Sequence, residues 1–135
     1  MMSDTILITG ATGLVGKALV KKCLSIGFNV HYLTTCKTKI SSKKNYKGFY
    51  WNPQLNKIDV RCFEGVSVVI NLAGSSIAQR WTKASKSIIL SSRKNALELL
   101  HSTIDTHKFP IKQVISASAI GIYPDSKTRY YKEDF

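Results

Sequence analysis

Three glycines spaced three apart, Gly10, Gly13 and Gly16 in the stretch GATGLVG, stand directly behind the apolar run Ile6-Leu7-Ile8. Residues of that type at that spacing suit the binding of a pyrophosphate. Gly10 permits a tight exit from a strand, Gly13 lets the backbone approach an anion with no Cβ in the way, and Gly16 lets a following helix lie close to a sheet. The helix N-terminus then offers unpaired N–H groups to the phosphates. A turn that is merely tight and closely packed would also use these glycines. What favours a nucleotide is the context, a strand before them and a helix after them.

The elements that must hold this turn can be read along the chain. TILITG is a short buried parallel strand, because β-branched and apolar residues follow one another with little alternation. Behind the turn, Val15, Leu19, Cys23 and Ile26 fall on one side of a helix and Lys17 and Lys21 on the other, with Gly27 as the left-handed residue that ends it. FNVHYL begins a second strand, KGFYWN supplies a third that Asn52-Pro53 turns away, and VSVVIN from Val66 to Asn71 supplies a fourth. A long helix is expected over Lys83 to Thr106, with Ile89, Leu97, Leu100 and Ile104 at helical spacing and Arg93 in the same stripe. An arginine there either snorkels or pairs at the edge of the core, or reaches towards a ligand. KQVISASA is a fifth strand. The fold expected is α/β, a doubly wound parallel sheet of Rossmann-like form with about five strands in the order 3-2-1-4-5 and helices on both faces. The glycine turn, Leu72-Ala73-Gly74 and Ser116 to Ser118 would then meet at the carboxyl ends of strands one, four and five, where such sheets bind ligands.

The end of the second strand discriminates between cofactors. An acidic residue there would hold the adenosine ribose of NAD, and this chain reads Leu33-Thr34-Thr35-Cys36-Lys37, with no acid. Thr35 and Lys37 could hydrogen-bond and neutralise a 2′-phosphate, so NADP is favoured over NAD. Lys37 could equally begin a solvated loop.

Composition narrows the function class. The chain has 135 residues, 44% hydrophobic and 10% aromatic, which fits one folded domain. No apolar run reaches the roughly 18 residues of a membrane span, and MMSDTILITG lacks the basic start and long apolar middle of a signal peptide, so a cytoplasmic location with no membrane partner is expected. Cys23, Cys36 and Cys62 are too widely spaced for a zinc or redox motif, and neither a disulfide nor a metal is expected. The formal charge of +12 could attract nucleic acid, an anionic surface or a phosphorylated small molecule. The basic residues are dispersed, concentrated only at Lys37, Lys39, Lys43, Lys44 and Lys47, without the continuous basic and aromatic face that a nucleic-acid partner would need.

TGATGLVGKALV, VVINLAGSSIAQRWTKASKSIILSSRKNALELL and ISASAIGIY together resemble the extended short-chain dehydrogenase/reductases, in the branch labelled nucleoside-diphosphate-sugar epimerase-like. The resemblance runs from Thr5 to about Tyr123, and NLAG, RW and SR in that order are more specific than the glycine turn. It implies that Gly10, Thr12, Gly13, Leu14, Val15 and Gly16 form the phosphate turn and that Leu72, Ala73 and Gly74 border the adenosine half. It places Ser118 at the serine that, in catalytic members, hydrogen-bonds the reacting carbonyl or hydroxyl. Those members transfer a hydride to or from nicotinamide, with a tyrosine as general acid or base and a lysine four residues on. Tyr123 and Lys127 match that spacing as text only. In the family the pair lies on a long helix well beyond the serine, whereas Tyr123 follows Ser118 closely and Pro124 is poorly suited to a helix interior. The 135 residues are therefore expected to form the dinucleotide-binding domain and to lack the proton-transfer and substrate-binding part. Two readings follow: the NADP-binding portion of an oxidoreductase or epimerase-like protein with an unknown small-molecule substrate, or a dinucleotide-sensing module without turnover. Either leaves apolar surface that would favour self-association.

Overall fold

The structure, a computed structural model, describes residues 4–73 and 82–117. Along these residues run β1 (Thr5–Thr9), α1 (Leu14–Ser25), β2 (Asn29–Thr34), β3 (Ser42–Lys43), β4 (Tyr46–Asn52), β5 (Lys57–Ile58), β6 (Val66–Asn71), α2 (Lys83–His107) and β7 (Gln113–Ser116). Single 3-10 turns occupy Lys37–Lys39, Pro53–Leu55 and Val60–Phe63.

The apolar, β-branched runs form the middle of one sheet, in the order β3-β4-β2-β1-β6-β7. Its five principal strands, β4-β2-β1-β6-β7, are parallel and reproduce the expected 3-2-1-4-5 order. The sheet is mixed, because the two-residue strands β3 and β5 each pair antiparallel with β4. Strand alternation sends Ile6 and Ile8 of β1 to one face and Leu7 to the other. On the first face they meet Val20 and Cys23 of α1 with Val30 and Tyr32; on the second, Leu7 packs with Val69, Phe63 and Trp51 beneath Ala96, Leu99 and Leu100 of α2. Burying each such leucine contributes roughly 2 kcal/mol, so helices on both faces hold the sheet from two sides.

Both helices are rotated from the stripes their large apolar residues suggest. In α1 the buried residues are Gly16, Val20 and Cys23, while Val15 is 66% and Ile26 58% exposed. Gly16 sets this rotation, because its missing Cβ is the space taken by the Gly10 carbonyl oxygen. The bare face of the helix must therefore point inward. In α2 the buried face is Ser85, Ala96, Leu99, Leu100 and Thr103, and Leu97 is 40% exposed. Arg93 lies off that face, exposed, and its guanidinium donates to the Ile89 carbonyl at 3.2 Å. The buried face of α2 thus mixes small and polar side chains with leucine, which a count of large apolar residues does not register.

Gly27 ends α1 as expected, at φ 98°, with its own N–H on Leu24 and the Phe28 N–H on the Cys23 carbonyl. Among the described residues no helix is long and apolar enough to cross a membrane.

Candidate functional site

The three glycines of the turn answer to different demands. Gly10 has φ 72°, and a Cβ there would lie 2.9 Å from the backbone carbon and oxygen of Leu72 and 3.2 Å from the Ala73 nitrogen. A Cβ on Gly16 would overlap the Gly10 carbonyl. The chain's own packing requires both. Gly13 is otherwise. Its backbone is extended, at φ −79° and ψ 179°, and a Cβ would meet only the Gly10 oxygen at 3.4 Å, an ordinary contact. The fold does not call for glycine at this position, and a bare backbone there leaves room for something outside the chain.

Gly13 is also the N-cap of α1. Among the described residues no side chain caps this helix, and no acidic residue stands in its first turn. The Gly13 N–H is used by the Gly10 carbonyl at 3.1 Å, and the first ladder bond is Lys17 N–H to the Gly13 carbonyl at 2.9 Å. The N–H groups of Leu14, Val15 and Gly16 precede that bond, with the partial positive charge of the helix end behind them. The Leu14 side chain is 91% exposed. Such an end is suited to an anion.

Opposite the turn, the carboxyl ends of β1, β6 and β7 are tied by a polar chain. The Thr9 hydroxyl donates to Asn71 Oδ1 at 2.5 Å and accepts from the N–H groups of Leu72 and Ala73, each at 3.1 Å. Asn71 Nδ2 reaches Ser116 Oγ at 3.4 Å. Thr9 and Asn71 are buried. They hold Leu72 and Ala73 over Gly10, at the close approach that Gly10 permits. The sequence reading missed both, although a polar residue closing an apolar strand, as in ILIT and VVIN, is a readable signal.

A cleft of about 380 Å³ opens beside the turn. Gly10 and Thr12 line it from the turn, Thr35, Cys36 and Lys39 from the exit of β2, Trp51 to Gln54 from the exit of β4, Ala73 from the exit of β6, and Ser92 and Ala96 from α2. No carboxylate is among its described lining residues. Lys37 is not there; its ammonium lies 5.0 Å from the centroid of the Tyr50 ring. Lys39, two residues on, takes the place at the wall. Ser116 stands at the end of β7, in the Thr9–Asn71 chain and outside the cleft. Gly74 and Ser118, like Tyr123 and Lys127, lie outside the described residues. Trp51 to Pro53 could have been found in the sequence, since they close a parallel strand as Leu72 and Ala73 do.

Cys36, exposed at the cleft wall, has its thiol held below the ordinary thiol range, first by the Thr38 hydroxyl at 2.9 Å and then by backbone N–H groups and Lys39. Burial pushes Cys23 and Cys62 upward. Among the described residues no group of three or more His, Cys, Asp or Glu could hold a metal ion.

Residues 6–135 match the family described as NAD dependent epimerase/dehydratase. The chain belongs to that family. Among its relatives in the epimerase/dehydratase family are an epimerase family protein of Staphylococcus saprophyticus, 34% identical over 131 residues, and YfhF of Bacillus subtilis, 35% identical over 129 residues. These matches cover 94% and 96% of this chain and 41% and 42% of the relatives, so the chain spans about two-fifths of their length. Among solved structures, human epimerase family protein SDR39U1 with NADPH superposes with a TM-score of 0.76 at 24% identity, covering 97% of this chain and 42% of that one. UDP-N-acetylglucosamine 4-epimerase from Bacillus cereus gives 0.72 at 21% identity, covering 98% and 41%. These likenesses show the Rossmann-like fold.

Proposed function

We propose that these residues are the NADP-binding portion of an oxidoreductase or sugar-nucleotide epimerase-like protein. The observation that carries the reading is Gly13, a glycine the fold does not require, set at a helix end with no side-chain cap of its own, beside a cleft with no carboxylate among its described lining residues. A cradle that a Cβ would fill fits a pyrophosphate. In this reading the backbone N–H groups of Leu14, Val15 and Gly16 hold the pyrophosphate, with Gly13 and Thr12 beside them, and the cleft between Ala73, Thr35 and Trp51 receives the adenosine half. Lys39 at the cleft wall, with Thr35, neutralises a 2′-phosphate, and Lys37 adds positive charge nearby. The absence of an acid among the cleft's described lining residues and the NADPH in the human SDR39U1 structure both support NADP over NAD.

When bound, the nicotinamide supplies or accepts the hydride exchanged with a carbonyl or hydroxyl carbon. The chain's own contribution is to bind and orient: Thr9 and Asn71 fix the strand ends, and Ser116 extends that polar chain towards β7. Ser118 is the residue proposed to hydrogen-bond the reacting oxygen.

A fluorescence titration of the 135-residue chain with NADPH and NADH tests this. NADPH should bind more tightly than NADH, and Gly13→Asp should abolish both by placing a carboxylate where the pyrophosphate lies. Binding that survives Gly13→Asp, or no binding to the unaltered chain, would contradict the proposal.

A further inference from the structure

Between Thr35 and the short strand β3 the chain must double back, and one buried side chain holds it there. Tyr32 of β2 is 1% exposed, yet its hydroxyl lies at the surface loop rather than in the core. That hydroxyl donates to the Lys39 carbonyl at 2.6 Å, accepts from the Ser41 N–H at 2.9 Å and lies 3.0 Å from Ser41 Oγ. The ring is stacked on Tyr46 with centroids 4.4 Å apart. It occupies the space that a Cβ on Gly48 of β4 would need. A phenol fitted to a slot so specific, with its hydrogen-bonding capacity spent on two residues of one loop, fixes that loop against the sheet.

The same loop supplies Thr35, Cys36 and Lys39 to the cleft wall. Within the loop the Lys39 N–H donates to the Cys36 carbonyl at 3.0 Å and the Cys36 N–H to Thr34 Oγ1 at 3.1 Å, and at its far end the Gly48 N–H of β4 donates to the Ser41 carbonyl at 2.8 Å. The bond to Ser41 ties the end of the loop to β4, and none of these bonds uses the Lys39 carbonyl. Tyr32 ties it at Lys39 itself, through that residue's carbonyl, and so determines where its side chain leaves the backbone.

We infer that Tyr32 is a positioning residue for phosphate selectivity: its buried hydroxyl holds the loop so that Lys39 faces the cleft where a 2′-phosphate would sit. The inference rests on the dinucleotide reading of the cleft. It extends that reading to a residue that touches no ligand.

Tyr32→Phe removes one oxygen and keeps the ring stacked on Tyr46, so it tests the inference with little change in packing. Amide exchange at Ser41 should quicken, because its N–H loses its acceptor. The NADPH Kd should rise about fivefold with the NADH Kd unchanged, the scale of one or two lost hydrogen bonds. Lys39→Gln should give a similar selective loss. The two changes together should give no more than the larger alone, since both act through one group. Equal weakening of NADPH and NADH, or additive losses, would overturn the role of Tyr32 in selectivity. Unchanged exchange at Ser41 with NADPH preference intact would overturn the hydroxyl tie while leaving the nucleotide site standing. Quickened exchange in a chain whose unaltered form binds neither dinucleotide would instead overturn the nucleotide reading, and the selectivity role with it.

Discussion

Helix α1 begins on Gly13, which has no side chain to cap it, whereas α2 begins on Thr82, whose hydroxyl accepts from the Ser85 N–H at 3.1 Å while Ser85 Oγ accepts from the Thr82 N–H at 2.8 Å. The two helices lie on opposite faces of one sheet and face the same physical problem at their N-termini. In α2 the chain solves it internally, with a reciprocal capping box. In α1 it leaves the N–H groups open and withholds even a Cβ. Since Gly13 has the extended backbone that a serine cap adopts, the omission is not forced by geometry. An open end where a closed one was available points to a ligand as the missing partner.

The comparison can be broken most severely at Gly16. A Cβ there overlaps backbone atoms that cannot move without opening the turn, so Gly16→Ala should cost about 3 kcal/mol in urea unfolding. A cost near zero would mean that α1 is free to slide and that its rotation is not set by the turn. At the other helix, Thr82→Ala removes the cap and should cost about 1 kcal/mol without altering nucleotide affinity. A large affinity loss would show that the two ends are coupled.

Smaller effects should appear at the cleft wall. The bond from the Thr38 hydroxyl favours the Cys36 thiolate, so alkylation of Cys36 should reach its plateau at lower pH than that of an ordinary thiol and should outpace Cys23 and Cys62. Thr38→Val removes the bond to the charged form, so the profile should move to higher pH and the rate at neutral pH should fall. Bound NADPH should slow the reaction. Mass spectrometry of alkylated peptides across pH would check each step, and equal rates at all three cysteines would contradict the assignment.

Much of this architecture was legible in the sequence. The continuous run VSVVIN gave β6 its bounds because a strand covered on both faces needs no alternation, and α2 was expected at nearly its observed length. Helix rotation was less legible. Leu97, Val15 and Ile26 are the wrong guides, because what decides the buried face is where the backbone must come close, at Gly16, or where Ala96 and Thr103 let a helix settle. In the site, Gly10, Thr12, Thr35 and Ala73 come together at the cleft as the turn and strand ends suggest. Lys39 does not follow from local pattern. Its place depends on the Tyr32 hydroxyl, a contact between a core strand and a loop, while the nearer lysine, Lys37, is drawn to the Tyr50 ring.

The most direct test is thermal unfolding of the unaltered chain and Gly13→Ser, each with and without NADPH. Serine at Gly13 makes α1 begin as α2 does, and should stabilise the free protein by about 0.5 kcal/mol while abolishing the rise in Tm that NADPH gives the unaltered chain. A lower Tm for free Gly13→Ser would show that the fold itself needs this glycine, and an undiminished NADPH-induced rise would show that the open helix end is not where the pyrophosphate binds.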